Sequence, residues 1–334
     1  MATFEEAGPN APVTIATRVD KVSPRVRLGG KLRAGVVITV TVVGLIPVLV
    51  MIVTAFKTRT DILASPPLIA FQPNLEGFVF LFTDRAVVAA SRIQEFTARA
   101  EAGQLNLWEQ IAFESGQEIT GTSDYVRRLQ NSLIIAGLST VASVVLGLFA
   151  AYAFSRFKVP GKDDLLFFIL STRMLPGVVV TIPIFLMYRQ IGLTDTHFGM
   201  ILLYTAFNLS FSVWLLKGFI DEIPKEYEEA ALVDGYTRWQ AFYKIVLPQA
   251  VTGIAATTVF CLIFAWNEYA FALMLTSEKA RTAPPSIATM LGRGGIEWSA
   301  IAAGSLGFLI PVVIVTFALR KYLLRGITFG AIRQ

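Results

Sequence analysis

Charge is scarce in this chain: only 16% of its 334 residues are Asp, Glu, Lys or Arg, where soluble domains carry nearer a quarter. Histidine and cysteine are rarer still, with one of each, His197 and Cys261. A metal site built from several His or Cys ligands and an intrachain disulfide are therefore both excluded. Intramembrane protease chemistry, which needs paired His, Asp or Ser groups, lacks its partners too. No Gly-x-x-x-x-Gly-Lys-Ser/Thr phosphate loop occurs, so the chain supplies no nucleotide site of that kind and no bound cofactor is expected. Internal repeats are absent as well, which removes support for a repeat-built secondary transporter.

What is present in abundance is apolar: 54% of residues, with a mean hydropathy of +0.60. A bilayer core needs about 20 apolar residues per helix, and six segments meet that length, roughly 34–56, 131–154, 165–187, 199–219, 249–275 and 300–324. The first is too long for a signal-peptide core and is read as a retained helix. The expected fold is an all-α polytopic membrane protein with six transmembrane helices. Basic residues set its orientation. Lys21, Arg25, Arg27, Lys31 and Arg33 precede the first span, Arg156, Lys158 and Lys162 follow the second, and Arg320, Lys321, Arg325 and Arg333 follow the last. All three clusters fall on one side, so both termini are expected in the cytoplasm. The net charge of +5 then belongs to a membrane surface and not to nucleic acid.

This topology gives a cytoplasmic tail at 1–33, a first helix at 34–56 and an extracytoplasmic insertion at 57–129. A core of five further helices follows at 130–324, containing a cytoplasmic loop at 221–248, and a short tail ends the chain at 325–334. Within the insertion, Val87, Ala90, Ile93, Phe96 and Ala100 recur at helical spacing, so Asp84 to Glu114 reads as helical. Two roles stay open for it: a contact surface for an extracytoplasmic partner, or a cap packed on its own helices.

The polar loop carries the most specific pattern. Glu229-Ala230-Ala231 is followed by three residues and Gly235, then by nine residues and Ile245-Val246-Leu247-Pro248. Pro224 suits the start of a helix, Glu226, Glu228 and Glu229 suit its positive end, and Asp234-Gly235 suits a left-handed stop. Thr237 and Gln240 have the spacing of a capping box for a second helix. Two short helices hinged at a glycine are expected, a shape suited to docking on another protein.

This loop resembles the EAA loop of bacterial ABC-importer permeases. Asn131-Ser132-Leu133, Ile191-Gly192-Leu193-Thr194-Asp195-Thr196, Ile223-Pro224-Lys225-Glu226, Trp266-Asn267-Glu268-Tyr269 and Arg325-Gly326-Ile327-Thr328-Phe329-Gly330-Ala331 are also similar to that family. They fit its carbohydrate-uptake branch, the maltose-transporter-like second permease. Ser171-Thr172-Arg173-Met174-Leu175-Pro176 is similar to members importing polyols and disaccharides. The resemblance implies a bacterial inner-membrane subunit forming half of a solute pathway. Its partners would be a second permease, two ATP-binding subunits that use ATP and Mg, an extracytoplasmic solute-binding protein, a carbohydrate and membrane lipid, with no nucleic acid. The chain itself would be no enzyme. Glu229, Ala230, Ala231, Gly235, Ile245, Leu247 and Pro248 would couple it to the ATPase. A non-carbohydrate solute, or a stand-alone channel, is the alternative.

Polar residues inside spans are costly and mark candidate pathways. Arg173, Tyr204, Asn208, Trp266, Asn267 and Glu268 offer the hydrogen-bonding and aromatic groups a sugar needs. They are equally consistent with links between helices, for instance an Arg173–Glu268 pair. His197 reads as a solvated turn residue and Cys261 as buried packing.

Overall fold

The computed structural model describes the backbone of residues 24–66, 68, 70–292 and 295–329, and side chains from Arg33 to Lys321 apart from 67, 69 and 291–294. The N-terminal basic residues Lys21 to Lys31 and the tail residues Arg325 and Arg333 lie outside the described side chains. Two units divide the chain, residues 1–50 and 51–334.

Helix α1 (Pro24–Ala55) begins in the first unit; its apolar side chains there, such as Val36 and Val40, are exposed. The insertion begins with α2 (Arg59–Leu63) and α3 (Glu76–Phe82), which leads into strand β1 (Thr83–Val87). A short 3-10 turn, α4 (Ile93–Glu101) and α5 (Leu107–Glu114) then precede β2 (Gln117–Thr122), antiparallel to β1. The helical expectation from Asp84 onward is thus corrected over 84–87. Backbone groups there find partners in 117–122, a pairing across some thirty residues that local periodicity does not register.

The second unit is built on α6 (Tyr125–Arg156) and α9 (His197–Asp221). Asn131 meets His197, and Gly147 meets Ser212, so the two helices run side by side in the same direction. Small residues line the seam. A Cβ on Gly147 would fall 2.5 Å from the Ser212 Cβ, which is why only glycine allows this approach. Because α6 and α9 are parallel, residues 157–196 must bring the chain back along the bundle. They do so as two helices, α7 (Lys162–Ser171) and α8 (Gly177–Gln190).

The expected third span at 165–187 is therefore broken at Thr172–Pro176. Pro176 is the residue preceding α8, and proline cannot donate into a continuous helix. The loop helices α10 (Glu226–Val233) and α11 (Arg238–Ala241) follow α9. A wide π-type turn over Phe242–Val246 then passes into α12 (Leu247–Gln249) and α13 (Val251–Trp266), which antiparallels α9 through Asn208 and Cys261. The stretch from Arg238 to Gln249 meets α13 at a 71° bend. After α13 come α14 (Ala270–Leu275), α15 (Ala283–Ala288), a small β3–β4 hairpin (Leu291–Gly292, Gly295–Ile296) and α16 (Trp298–Phe329). The apolar segment 249–275 is thus also interrupted, at Asn267–Tyr269.

Among the described residues four helices are long and apolar enough to cross a bilayer, five if the bent pair forms one span. The six apolar segments are all present, but two are divided by turns, so six uninterrupted helices are not formed. Apolar cores hold the bundle, among them one around Ile135, Met200, Tyr204 and Trp266 and another around Val144, Leu216, Phe242, Val246 and Cys261.

Candidate functional site

The loop at 221–248 is tied to the bundle by a buried ion pair and by aromatic contacts. Glu228 is buried, and its Oε1 accepts from Arg156 Nε at the end of α6. Tyr152 donates its hydroxyl to Oε2 at 2.9 Å, and Arg156 Nη2 donates to the Ile223 carbonyl at 2.9 Å. A carboxylate expected only to favour the helix dipole instead ties α10 to the bundle. Breaking such a pair strands a buried charge, at a cost of about 3–5 kcal/mol.

The hinge follows local rules. Gly235 has φ +87°, Tyr236 N donates to Ala231 O at 2.9 Å, and Gly235 N donates to Leu232 O at 3.1 Å. These two bonds make a Schellman stop, closing carbonyls at the end of α10. Thr237 Oγ1 then accepts from Gln240 N, and Gln240 Oε1 from Thr237 N, a complete capping box. Aromatic contacts hold α11 and the turn after it to α6: the rings of Phe149 and Trp239 stack 6.1 Å apart, and Tyr152 lies tilted 4.7 Å from Phe242.

Of the proposed coupling residues, Glu229, Ala230, Gly235 and Pro248 are exposed, Ile245 and Leu247 are half-buried, and Ala231 is buried. The alanine pair thus divides its work. Ala230 faces outward, while Ala231 lets α10 sit against the bundle. Val233 at 87% exposure and Trp239 at 60% extend the outward face, and neither carried a coupling assignment from the sequence.

Four of the six polar span residues converge. Arg173, Tyr204, Asn208 and Glu268 line a cavity of about 240 Å³, together with Phe207 and Phe264. Tyr204 donates to Glu268 Oε2 at 2.7 Å, and Phe271 N and Ala272 N donate to the same carboxylate. Arg173 sits at the break between α7 and α8. It donates to the Phe207 carbonyl at 3.1 Å and faces the Phe264 ring at 4.7 Å. No direct Arg173–Glu268 ion pair forms among the described residues; the carboxylate caps α14 instead. Trp266 and Asn267 stand apart. Trp266 is buried, stacked on Phe308 and donating to its carbonyl, and Asn267 donates back to Ile263 on its own helix.

At the opposite end of the bundle a loop is held by side chains from far away in sequence. Asp195, at φ +53°, accepts from the backbone N–H groups of Ser277, Glu278, Lys279 and Ala280 at 3.0–3.2 Å. Partial burial works against its ionisation, yet these donors overcome it and hold the carboxyl down at about 2. Asn131 donates to the carbonyls of Lys279 and Arg281 at 2.9 Å, and Ser132 Oγ accepts from Ala283 N. His197, expected as a solvated residue, is half-buried with Nε2 2.8 Å from Asn131 Oδ1. The Asn-Ser pair and the Thr-Asp-Thr turn thus close on one loop.

A bundle of broken and bent apolar helices with a pinned polar loop at one end is the architecture of a membrane transport component. The chain belongs to the family described as binding-protein-dependent transport system inner membrane component, whose pattern matches residues 143–329. It is a multi-pass protein of the inner membrane.

Among its relatives is the probable ABC transporter permease y4oR of Sinorhizobium fredii, 30% identical over 86% of this chain and 90% of that one. The trehalose transport system permease SugB of Mycobacterium tuberculosis is 37% identical over 67% of this chain and 82% of its own length. The trehalose/maltose transport system permease MalG of Thermococcus litoralis is 29% identical over 89% and 94%. In fold, a chain of a bacterial ABC transporter that imports the acidic polysaccharide alginate aligns with a TM-score of 0.63 at 19% identity, covering 90% of this chain and 99% of that one.

Proposed function

We propose that this chain is one of two permease subunits of an ABC importer for a carbohydrate, and that its loop at 221–248 docks on a separate ATP-hydrolysing subunit. The observation that carries the reading is the loop itself. Two short helices, joined by a Schellman stop and a capping box, expose Glu229, Ala230 and Val233 while a buried Arg156–Glu228 pair fixes α10 to α6. A force applied to the exposed face passes through that pair into the bundle. Relatives named for trehalose and maltose transport support the carbohydrate class.

In this reading the basic residues at 156–162 and 320–321 place the loop in the cytoplasm, and the insertion at 57–129 faces the other side. The partners are a second permease, two ATP-binding subunits holding ATP and Mg, an extracytoplasmic solute-binding protein and surrounding lipid. The chain binds no cofactor of its own and no nucleic acid. Arg173, Tyr204, Asn208 and Glu268 contribute to the solute pathway, with Phe207 and Phe264 as stacking faces.

Gly235→Pro and Glu229→Lys test the coupling. Both should leave the chain inserted and co-purifying with its permease partner, while sugar-stimulated ATP hydrolysis in vesicles falls at least about tenfold, the loss expected for one charge-assisted contact at an interface. Normal stimulated hydrolysis in both variants would remove the loop from the coupling path.

A further inference from the structure

At the end of the bundle opposite the coupling loop, two apolar helices stop at the same level. A Cβ on Gly77 would lie 2.7 Å from the Ser299 carbonyl oxygen and 2.8 Å from that of Ala55. The last residue of α1 and the first turn of α16 therefore meet at one point on α3. Between Ser299 and Arg320, α16 carries no charged side chain and rises about 32 Å, close to the roughly 30 Å of a hydrocarbon core. With Arg320 and Lys321 at one bilayer surface, the opposite surface falls at Ala55 and Ser299.

The segment joining α1 to α3 is tied down at this level. Asn74 N donates to the Phe56 carbonyl at 2.8 Å, and Lys57 Nζ donates to the Leu68 carbonyl at 2.6 Å. Arg59 Nη1 meets Glu297, the residue before Trp298, at 3.3 Å. What the segment shows to its surroundings is apolar. Leu63 is 60% exposed, Leu68 40% and Leu75 43%, and no charged side chain occurs from Ile62 to Leu75. Trp298 is 48% exposed, and Leu309 and Val313, about three and four turns further along the same side of α16, are exposed too.

Water is a poor neighbour for large apolar side chains gathered at one level. Hydrocarbon would accept the side chains but not this backbone: the described residues between α2 and α3 are irregular, and their N–H and C=O groups call for water or headgroups. The layer where acyl chains meet headgroups satisfies both, and tryptophan collects there.

We infer that Leu63, Leu68, Leu75 and Trp298 form an interfacial patch seated in the headgroup–acyl boundary of the bilayer, holding the insertion down on lipid beside α16. The inference uses only the chain's place in a membrane and goes beyond the reading of its solute and partners. One edge of the insertion then belongs to lipid, and a protein that docks on the insertion must use another.

The test measures depth directly. In Cys261→Ala chains, assembled with subunits that lack cysteine and placed in lipid nanodiscs, the single thiol of Leu63→Cys, Leu68→Cys or Glu101→Cys is labelled with an NBD fluorophore. All three positions are exposed, so the label is carried without repacking a core. Three quenchers are compared: phospholipid with a doxyl group near the headgroup end of its chain, phospholipid with doxyl near the chain terminus, and aqueous iodide. At Leu63→Cys and Leu68→Cys the shallow doxyl should quench about twofold more than the deep one, as a site within about 5–10 Å of the headgroup boundary requires. Glu101→Cys should be quenched chiefly by iodide.

Quenching of the two leucine sites by iodide to the extent seen at Glu101→Cys would put the segment in water. Shielding from all three quenchers would put another protein over it. Stronger quenching by the deep doxyl would bury it in hydrocarbon. Each of these results overturns the interfacial patch.

Discussion

The two ends of the bundle are made rigid in different ways. At the coupling end, the loop's shape comes from neighbours in sequence: a Schellman stop at Gly235 closes α10, and a capping box from Thr237 to Gln240 opens α11. Its ties to the bundle run back to α6, from Glu228 to Arg156 and from Trp239 and Phe242 to Phe149 and Tyr152. At the other end, almost nothing local holds the 276–283 loop. Asp195 captures four of its N–H groups and Asn131 captures two of its carbonyls, across more than eighty and nearly one hundred and fifty residues. A locally capped loop moves as one body when pushed. A loop pinned by distant helices reports on those helices, shifting when they shift. The first construction suits a lever, the second a surface coupled to the arrangement of the spans.

The largest expected effect is at the junction of lever and bundle. Arg156→Ala leaves the Glu228 carboxylate buried without its cation, and stability should fall by about 3–5 kcal/mol. Thermal unfolding in detergent, followed by tryptophan fluorescence, measures it. Arg156→Lys restores the charge but not both donated bonds and should recover part of the loss. If Arg156→Ala unfolds like the parent, the loop is held by its aromatic contacts alone and the lever loses its anchor.

Asp195→Ala comes next. It removes the acceptor for four backbone N–H groups at a half-exposed site, and about 1–2 kcal/mol is expected. The pH dependence has a definite sign. Folding holds this carboxyl at about 2, below the ordinary aspartate value of 3.8, so its contribution is complete above about pH 4. It declines as pH falls from there toward 2. Exchange of the 277–280 amides, followed by mass spectrometry, should be slow and level from pH 5 to 8 after correction for intrinsic rates. Rapid exchange in Asp195→Ala confined to this loop would confirm the clamp, and unchanged exchange would remove it.

Gly235→Ala forces a side chain into φ +87° and should cost about 1 kcal/mol, localised to the hinge. The smallest of these effects is Thr237→Ala, which loses one cap at about 1 kcal/mol or less and should lower coupled ATP hydrolysis only slightly. Both leave the distant 276–283 loop untouched. A change in its amide exchange in either variant would erase the contrast between the two ends.

Much of the coupling loop was legible in the sequence because its determinants lie within three to six residues of each other. Glycine, Thr-x-x-Gln and a proline state their geometry locally. The partners of Glu228 were not legible, since Arg156 and Tyr152 carry no spacing that links them to it. The same reason hid the roles of Asp195 and Asn131, whose resemblance to a family was visible while their shared target was not. Apolar run length located the apolar helical segments but not the breaks at Thr172–Pro176 and Asn267–Tyr269. Hydropathy does not sense where a helix changes direction. Polar residues in spans were the right places to look for a cavity. Trp266 and Asn267 fell away because one faces α16 and the other bonds back onto its own helix.

The central claim is that the loop presents a defined outward face to an ATP-hydrolysing partner. Neighbouring alanines test it most directly, because Ala230 is exposed and Ala231 is buried. In a chain whose single cysteine has been removed by Cys261→Ala, Ala230→Cys and Ala231→Cys are each treated with a short thiol-reactive crosslinker in the assembled importer. Crosslinking to the ATPase subunit from Ala230→Cys, with little from Ala231→Cys, is the predicted result. Equal crosslinking from both positions, or none from Ala230→Cys, would contradict it.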